Sequence, residues 1–215
     1  DPANTDAQVK LATFLLLGQK YPDARKRVDA ILAREPNNVE ALLLLATLHA
    51  HDENLFEAAN CFKKVAEINS RETRAYLGLA RVLAQQGQPA AAEQALMQAV
   101  TIEPKSAKNR LALFSFHVGQ RQFEKAETEI RRIVADNPGN SDLLITMGNY
   151  YLGLRRGAEA EAAFQKAIDD YLSGAVDERE FLKKTEYFKR WVFDYNLYKP
   201  ILDFARARRI PVVAL

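Results

Sequence analysis

Residues 73–106 read TRAYLGLARVLAQQGQPAAAEQALMQAVTIEPKS, and the spacing of small and large apolar side chains in this stretch decides the fold. Apolar residues return every three or four positions on both sides of the polar break Gln86-Gly87-Gln88. That pattern predicts two helices joined by a short turn. Pro104, near the end of the stretch, cannot extend a helical hydrogen-bond ladder and closes the second helix.

The same unit recurs along the chain, with proline as the ruler. Pro36, Pro104 and Pro138 stand 68 and 34 residues apart, and Ser70 fills the vacant slot. Setting that slot thirty-second in each unit divides residues 5–174 into 5–38, 39–72, 73–106, 107–140 and 141–174. Positions that did not define the register then agree. The twentieth is Ala24, Ala58, Ala92, Ala126 and Ala160. The seventh is Leu11, Leu45, Leu79, Leu113 and Met147; the eighth is Ala12, Ala46, Ala80, Phe114 and Gly148. The twenty-fourth is Val28, Phe62, Leu96, Ile130 and Phe164. Each unit therefore reads as two antiparallel helices of about three turns. The small eighth and twentieth residues let the two backbones approach, and the large twenty-fourth fills the space towards the next hairpin. Asn37, Asn38 and Asn137 suit the connecting turns.

On these residues the chain resembles the tetratricopeptide-repeat family over 5–174. The resemblance implies an all-α, right-handed superhelical solenoid of antiparallel hairpins. Departures are visible. The aromatic expected at the fourth position occurs only as Tyr76, against Gln8, Leu42, Arg110 and Leu144. Phe114 breaks the small eighth-position series, so the fourth hairpin is expected to open or repack. Leu172 replaces proline in the fifth unit, so that second helix is expected to run on.

Beyond about residue 174 the pattern stops. Ser173-Gly174-Ala175-Val176 reads as a turn, with Asp177 capping a helix through Phe181 and Leu182 towards Tyr187. Tyr187, Phe188, Trp191, Phe193, Tyr195, Tyr198 and Phe204 make this extension aromatic-rich. A further helix is expected from about Leu197 to Arg208, entered through Lys199-Pro200. The end, 210–215, has the composition of a buried strand. A solenoid leaves its last apolar face open, so 175–215 is expected to form a capping extension, with 177–190 as the covering helix. The stretch from Tyr171-Leu172-Ser173-Gly174 through Trp191 and Asp194-Tyr195 to Ile210-Pro211-Val212-Val213 is also similar to part of the ChaN-like haem-binding lipoprotein family. That likeness implies a truncated or fused α/β fragment. The family's first strand and histidine-bearing motif have no counterpart here, so no haem-binding residue carries over. A strand at 210–215 without sheet partners is expected to fray.

Composition narrows the function classes. Thirty basic and twenty-eight acidic side chains leave a formal charge of +2, without the basic excess of a nucleic-acid binder. The apolar run Leu11 to Gly18 is too short to cross a bilayer. It is not preceded by a basic segment or followed by a small-residue cleavage site, so no signal peptide or membrane insertion is expected in this stretch. Cytoplasm and periplasm are equally compatible. The single cysteine, Cys61, excludes an internal disulfide and is expected to be a structural, partly buried thiol. There is no phosphate loop, HExxH, CxxC pair or GxSxG, and no cofactor or catalysis is expected. His49 and His51 lie two apart on one helix and diverge; His49 and His117 share the eleventh position, where packing is the simpler role. Glu159 and Glu161 also diverge, as on any solvated helix face.

The resemblance places a ligand groove on the first helices, at the second, fifth, ninth, twelfth and thirteenth positions. The fifth is an aliphatic row, Val9, Leu43, Leu77, Leu111 and Ile145; the ninth is polar, Thr13, Thr47, Arg81, Ser115 and Asn149. The second is Asp6, Glu40, Arg74, Lys108 and Asp142. Amides and hydroxyls beside aliphatics suit an extended peptide, and Arg74, Arg81 and Lys108 suit a carboxylate on it. Of the family's carboxylate clamp only the pieces Lys108 and Asn149 are present, so chaperone tails are not the expected ligand. The expected function is a scaffold binding a protein or peptide. Two other readings stay open: a module of an envelope-associated haem-binding lipoprotein, and a self-associating structural subunit.

Overall fold

The computed structural model describes residues 4–172 and, farther along, 199, 203–205, 207 and 208. The turn expected at 173–176, the capping helix at 177–190 and the strand at 210–215 lie outside the described residues. Residues 199, 203–205, 207 and 208 are helical, where the last helix is expected.

Residues 5–172 form ten helices: α1 (Thr5–Leu17), α2 (Tyr21–Arg34), α3 (Val39–His51), α4 (Leu55–Ile68), α5 (Thr73–Gln85), α6 (Pro89–Ile102), α7 (Ala107–Gly119), α8 (Phe123–Asp136), α9 (Ser141–Gly153) and α10 (Gly157–Leu172). No strand occurs among the described residues. The odd-numbered helices are the first helices of the five units, and the even-numbered ones the second. The helices α2, α4, α6 and α8 stop two residues before the thirty-second position whether it holds proline or Ser70. Proline there is compatible with the stop without being required for it. The helix α10 spans 16 residues against 14 in the other second helices and so runs on as expected, although Ser70, in the same slot, does not lengthen α4.

Two local devices repeat with the 34-residue period. The thirty-fourth position caps the next first helix. Asn38 accepts from the Ala41 N–H at 3.0 Å, Ser106 from Asn109 at 3.3 Å, and Asn4 fills the same role before α1. These acceptors satisfy N–H groups that the helix start leaves open. The fifteenth position ends each first helix in a left-handed residue: Gln19, Glu53, Gly87, Arg121 and Arg155 all have φ between 56° and 72°. The N–H groups that follow close back on the helix, for example Asn54 N–H to His49 O at 2.9 Å and Glu53 N–H to Ala50 O at 3.3 Å. Only Gly87 adopts this φ without Cβ strain. Glu53→Gly, at an exposed position, is therefore expected to stabilise the protein by about 0.5–1 kcal/mol. Urea denaturation would show it as a higher midpoint; a lower midpoint would contradict the strain argument.

The chain divides into two compact units between Arg121 and Gln122. In the first, α1–α2, α3–α4 and α5–α6 form antiparallel hairpins. Each second helix also packs on the following first helix, α2 on α3, α4 on α5 and α6 on α7. The first helices touch in succession, α1 on α3, α3 on α5 and α5 on α7, so they share one side of this unit. In the second unit, α9 packs on both α8 and α10.

The periodic residues do what their sizes require. All five twentieth-position alanines are buried, as are Ala12, Ala46, Ala80 and Gly148 at the eighth. Phe114, the large residue in that series, is itself buried. Phe62 lies over Gly78 of the next first helix, where a Cβ would come within 2.3 Å of the ring. Phe164 lies over Gly148 of its own hairpin, with the corresponding distance 2.5 Å. The twenty-fourth residue thus fills space both within its hairpin and towards the next. The seventh position is less uniform: Leu113 is buried, while Leu11 is exposed.

Candidate partner-binding site

The expected groove positions lie on α1, α3, α5 and α7 in the first unit and on α9 in the second, and their surroundings differ. The fifth-position row is more core than groove floor. Leu43 is buried in a cluster with Phe62, Ala46 and Val82, and Ile145 is buried beside Leu144 and Ala167 in the second unit. Val9, Leu77 and Leu111 are half-buried, leaving part of each accessible. Two members of the expected groove row, Leu43 and Ile145, are thus covered by neighbouring side chains.

The ninth position also divides. Thr13 and Thr47 donate their hydroxyl hydrogens to Val9 O and Leu43 O, both at 2.9 Å, back-bonding to their own helices. Only their oxygen lone pairs stay available. Arg81 and Ser115 are exposed, and Arg81 has no partner among the described residues. Asn149 is half-buried on α9, in the second unit.

At the second position Arg74 is already engaged. Its guanidinium donates to Glu40, 34 residues earlier, at 2.9 Å, and to Glu72 at 2.7 Å. Glu72 also accepts from the Arg74 N–H at 3.2 Å and so caps α5. The Arg74 hydrogen bond holds the Glu72 carboxyl below its ordinary range, with a smaller contribution from Lys108. The expected cluster of Arg74, Arg81 and Lys108 is therefore corrected: Arg74 serves the scaffold, while exposed Arg81 and Lys108 supply the accessible positive charge.

The histidines and the cysteine behave as packing groups. His117 is buried, its ring edge-on to Phe116 at 5.9 Å. Burial, then the Arg25 charge, lowers the His49 pKa and favours the neutral ring. His51 stacks on Tyr21 at 3.6 Å and meets Asp52 at 3.1 Å. Burial pushes the Cys61 thiol up, away from the reactive thiolate.

Sequence periodicity missed one constellation. In the second unit Glu127 of α8 receives Arg156 at 2.5 Å, Arg131 at 2.8 Å and the Tyr151 hydroxyl at 3.1 Å. The Arg156 and Arg131 guanidinium carbons lie 4.7 and 5.7 Å from the Tyr151 ring centre. Hydrogen bonding, from Arg156 above all, brings the Glu127 pKa down to about 2. Nearby, the Tyr150 hydroxyl donates to Phe123 O at 2.6 Å. These groups tie α9 to α8. Their separations of 24 to 29 residues match no repeat spacing, so nothing in the sequence pattern singled them out.

Hairpins stacked through small residues, with a shared first-helix side, define a helical-repeat interaction scaffold. The chain belongs to the tetratricopeptide-repeat family: models of this repeat match 10–66, 50–108 and 83–139. Residues 158–215 match a model described as haem-binding uptake, Tiki superfamily, ChaN. That match begins inside α10 and so overlaps the fifth hairpin. The matched segment contains no histidine, cysteine or methionine, so none of these three usual axial ligands of haem iron comes from it. No curated protein matches the chain.

Among solved structures, MamA is similar at 22% identity, over 81% of this chain and 95% of its own, with a TM-score of 0.62. PilW, described as a type IV pilus biogenesis factor, is 18% identical over 93% of this chain and 100% of its own, TM-score 0.63. YrrB, described as a tetratricopeptide-repeat protein with an unusual peptide-binding site, is 18% identical over 85% and 92%, TM-score 0.54. At these identities the likeness is one of fold. No helix among the described residues is long and apolar enough to cross a membrane.

Proposed function

We propose that this chain is a non-catalytic scaffold that holds an extended, acidic peptide segment of a partner protein on the first-helix side of α1–α7. The observation that carries this reading is the juxtaposition of exposed Arg81, Lys108 and Ser115 with the half-buried aliphatics Leu77 and Leu111 on two touching helices, α5 and α7. An extended segment places successive side chains on opposite sides, so its aliphatics can meet Leu77 and Leu111 while a carboxylate meets Arg81 or Lys108. Peptide binding is also the property for which the similarly folded YrrB is described.

The test is affinity capture of partners by the intact protein, quantified by mass spectrometry, against Arg81→Glu/Lys108→Glu. Both residues are exposed, so helicity should not change. Capture of the principal partner should fall at least about tenfold, since each charge-assisted contact contributes on the order of 1.5 kcal/mol or more. Undiminished capture with intact helicity would remove this surface from consideration. If sedimentation showed wild type as an oligomer and the double variant as a monomer, the surface would instead serve self-association.

A further inference from the structure

We propose that two copies of this chain associate through the outward face of α6, about a two-fold axis. The internal repeat supplies the argument. Exposed Ala90, Gln94, Met97 and Thr101 fall at i, i+4, i+7 and i+11 of α6 and line one stripe along it. The stripe holds no charge. The corresponding stripes carry Lys26 and Asp29 on α2, Lys63 and Glu67 on α4, Glu124 and Arg131 on α8, and Asp169 on α10. The twenty-fifth position shows the contrast best, reading Asp29, Lys63, Met97, Arg131 and Gln165. Its one apolar member, Met97, is 52% exposed. The only charged residue of α6, Glu93, is half-buried and lies off the stripe. Within the same unit α4 precedes this helix and α7 follows it, so the openness of the face does not come from a chain end.

Beside the stripe lies a cleft of about 460 Å³, floored by Tyr76, Leu79 and Leu83 of α5 and walled by Ala91, Ala95 and Met97. The Tyr76 hydroxyl donates to Ser70 O at 3.3 Å and the Thr101 hydroxyl to Met97 O at 2.8 Å. Covering the face therefore leaves neither hydroxyl hydrogen without a partner. An unbranched, adaptable methionine suits a cleft of this kind.

The chemistry of the stripe selects a second copy as occupant. Near a two-fold axis each residue meets its own copy, so a charged stripe would set like charges together. This one does not. Gln94 and Gln98 each carry a donor and an acceptor, so each amide can pair with its own copy. A charged partner helix would find no opposite charge on the stripe. With the axis between Gln94 and Met97, two α6 helices lie antiparallel, Ala90 over Thr101 and Gln94 over Met97 of the second copy. Each Met97 is then placed to enter the other cleft. A standard interface buries about 800 Å² per partner. One helical face with its cleft offers less, so a dissociation constant on the order of 10 to 100 μM is expected. Such a dimer leaves both first-helix sides open and would hold a partner at two points.

Sedimentation velocity of the intact protein, across two decades of concentration around that constant, tests the proposal. Wild type should pass from monomer to dimer. Met97→Lys should raise the dissociation constant at least tenfold. Lysine and arginine already occupy this position in α4 and α8, so the fold should accept it, and circular dichroism would show that it does. Gln94→Lys tests the same face independently. Met97→Glu should be monomeric by itself, and an equimolar mixture with Met97→Lys should recover the dimer. Arg81→Glu/Lys108→Glu should leave the dimer unchanged, which separates this face from the peptide-binding side. A wild-type monomer throughout the range, a dimer indifferent to both lysine substitutions, or a mixture that stays monomeric overturns the proposal.

Discussion

Phe62→Ala is expected to destabilise the protein by about 3–5 kcal/mol, as a shifted urea midpoint followed by circular dichroism. Phe62 is buried, it belongs to the cluster with Leu42, Leu43, Ala46 and Val82, and its ring occupies the space left by Gly78 on α5. Removing the ring empties both its own hairpin and the junction with the next. The reverse error should also be costly. Gly78→Ala places a Cβ 2.3 Å from the ring, and overpacking of this kind costs about 1–3 kcal/mol. Because the two residues share one space, Phe62→Leu should suppress part of the Gly78→Ala penalty. A double-mutant cycle with no coupling would show that the ring and the glycine are not complementary. In a stacked repeat the loss should concentrate in the second and third hairpins, where hydrogen exchange would quicken first.

Glu127→Gln is expected to cost about 1–3 kcal/mol at neutral pH, since it withdraws the charged acceptor that Arg156, Arg131 and Tyr151 share. Its signature is the dependence on pH. The Glu127 pKa in the folded protein is about 2, below the value near 4.3 of an unfolded glutamate. A depressed carboxyl contributes its full stability above the unfolded value and loses it as pH falls through the folded one. The wild-type advantage over Glu127→Gln should thus be constant above about pH 5 and fade between about 4 and 2. Urea midpoints of the two proteins measured across that range would show the convergence. Equal midpoints at pH 6 would mean that the network contributes nothing net.

The hairpin architecture was legible in the sequence because it rests on local size. Alanine at every twentieth position and a large apolar residue at every twenty-fourth can be satisfied only by helices that approach closely and repeat. The binding surface was legible only as a set of positions. Spacing placed Leu43, Thr47, Arg74 and Arg81 on first helices. It did not reveal that Leu43 is core, that the Thr47 hydroxyl is bonded to its own helix, or that Glu40 holds Arg74 across 34 residues. The thirty-fourth-position caps and the left-handed fifteenth residue were present as patterns, but they vary in residue type among Asn, Glu and Ser, or among Gln, Glu, Gly and Arg. Backbone geometry unites them more than side-chain identity does.

By itself, then, the sequence determined the register, the helix pairs and which small residues must be buried, because each depends on contacts within one period. The tertiary structure decided which polar groups stay available and which charges are already paired. Those properties depend on what the neighbouring helix brings to the same few ångströms of space, and side chains meeting there come from positions that no single-strand periodicity links.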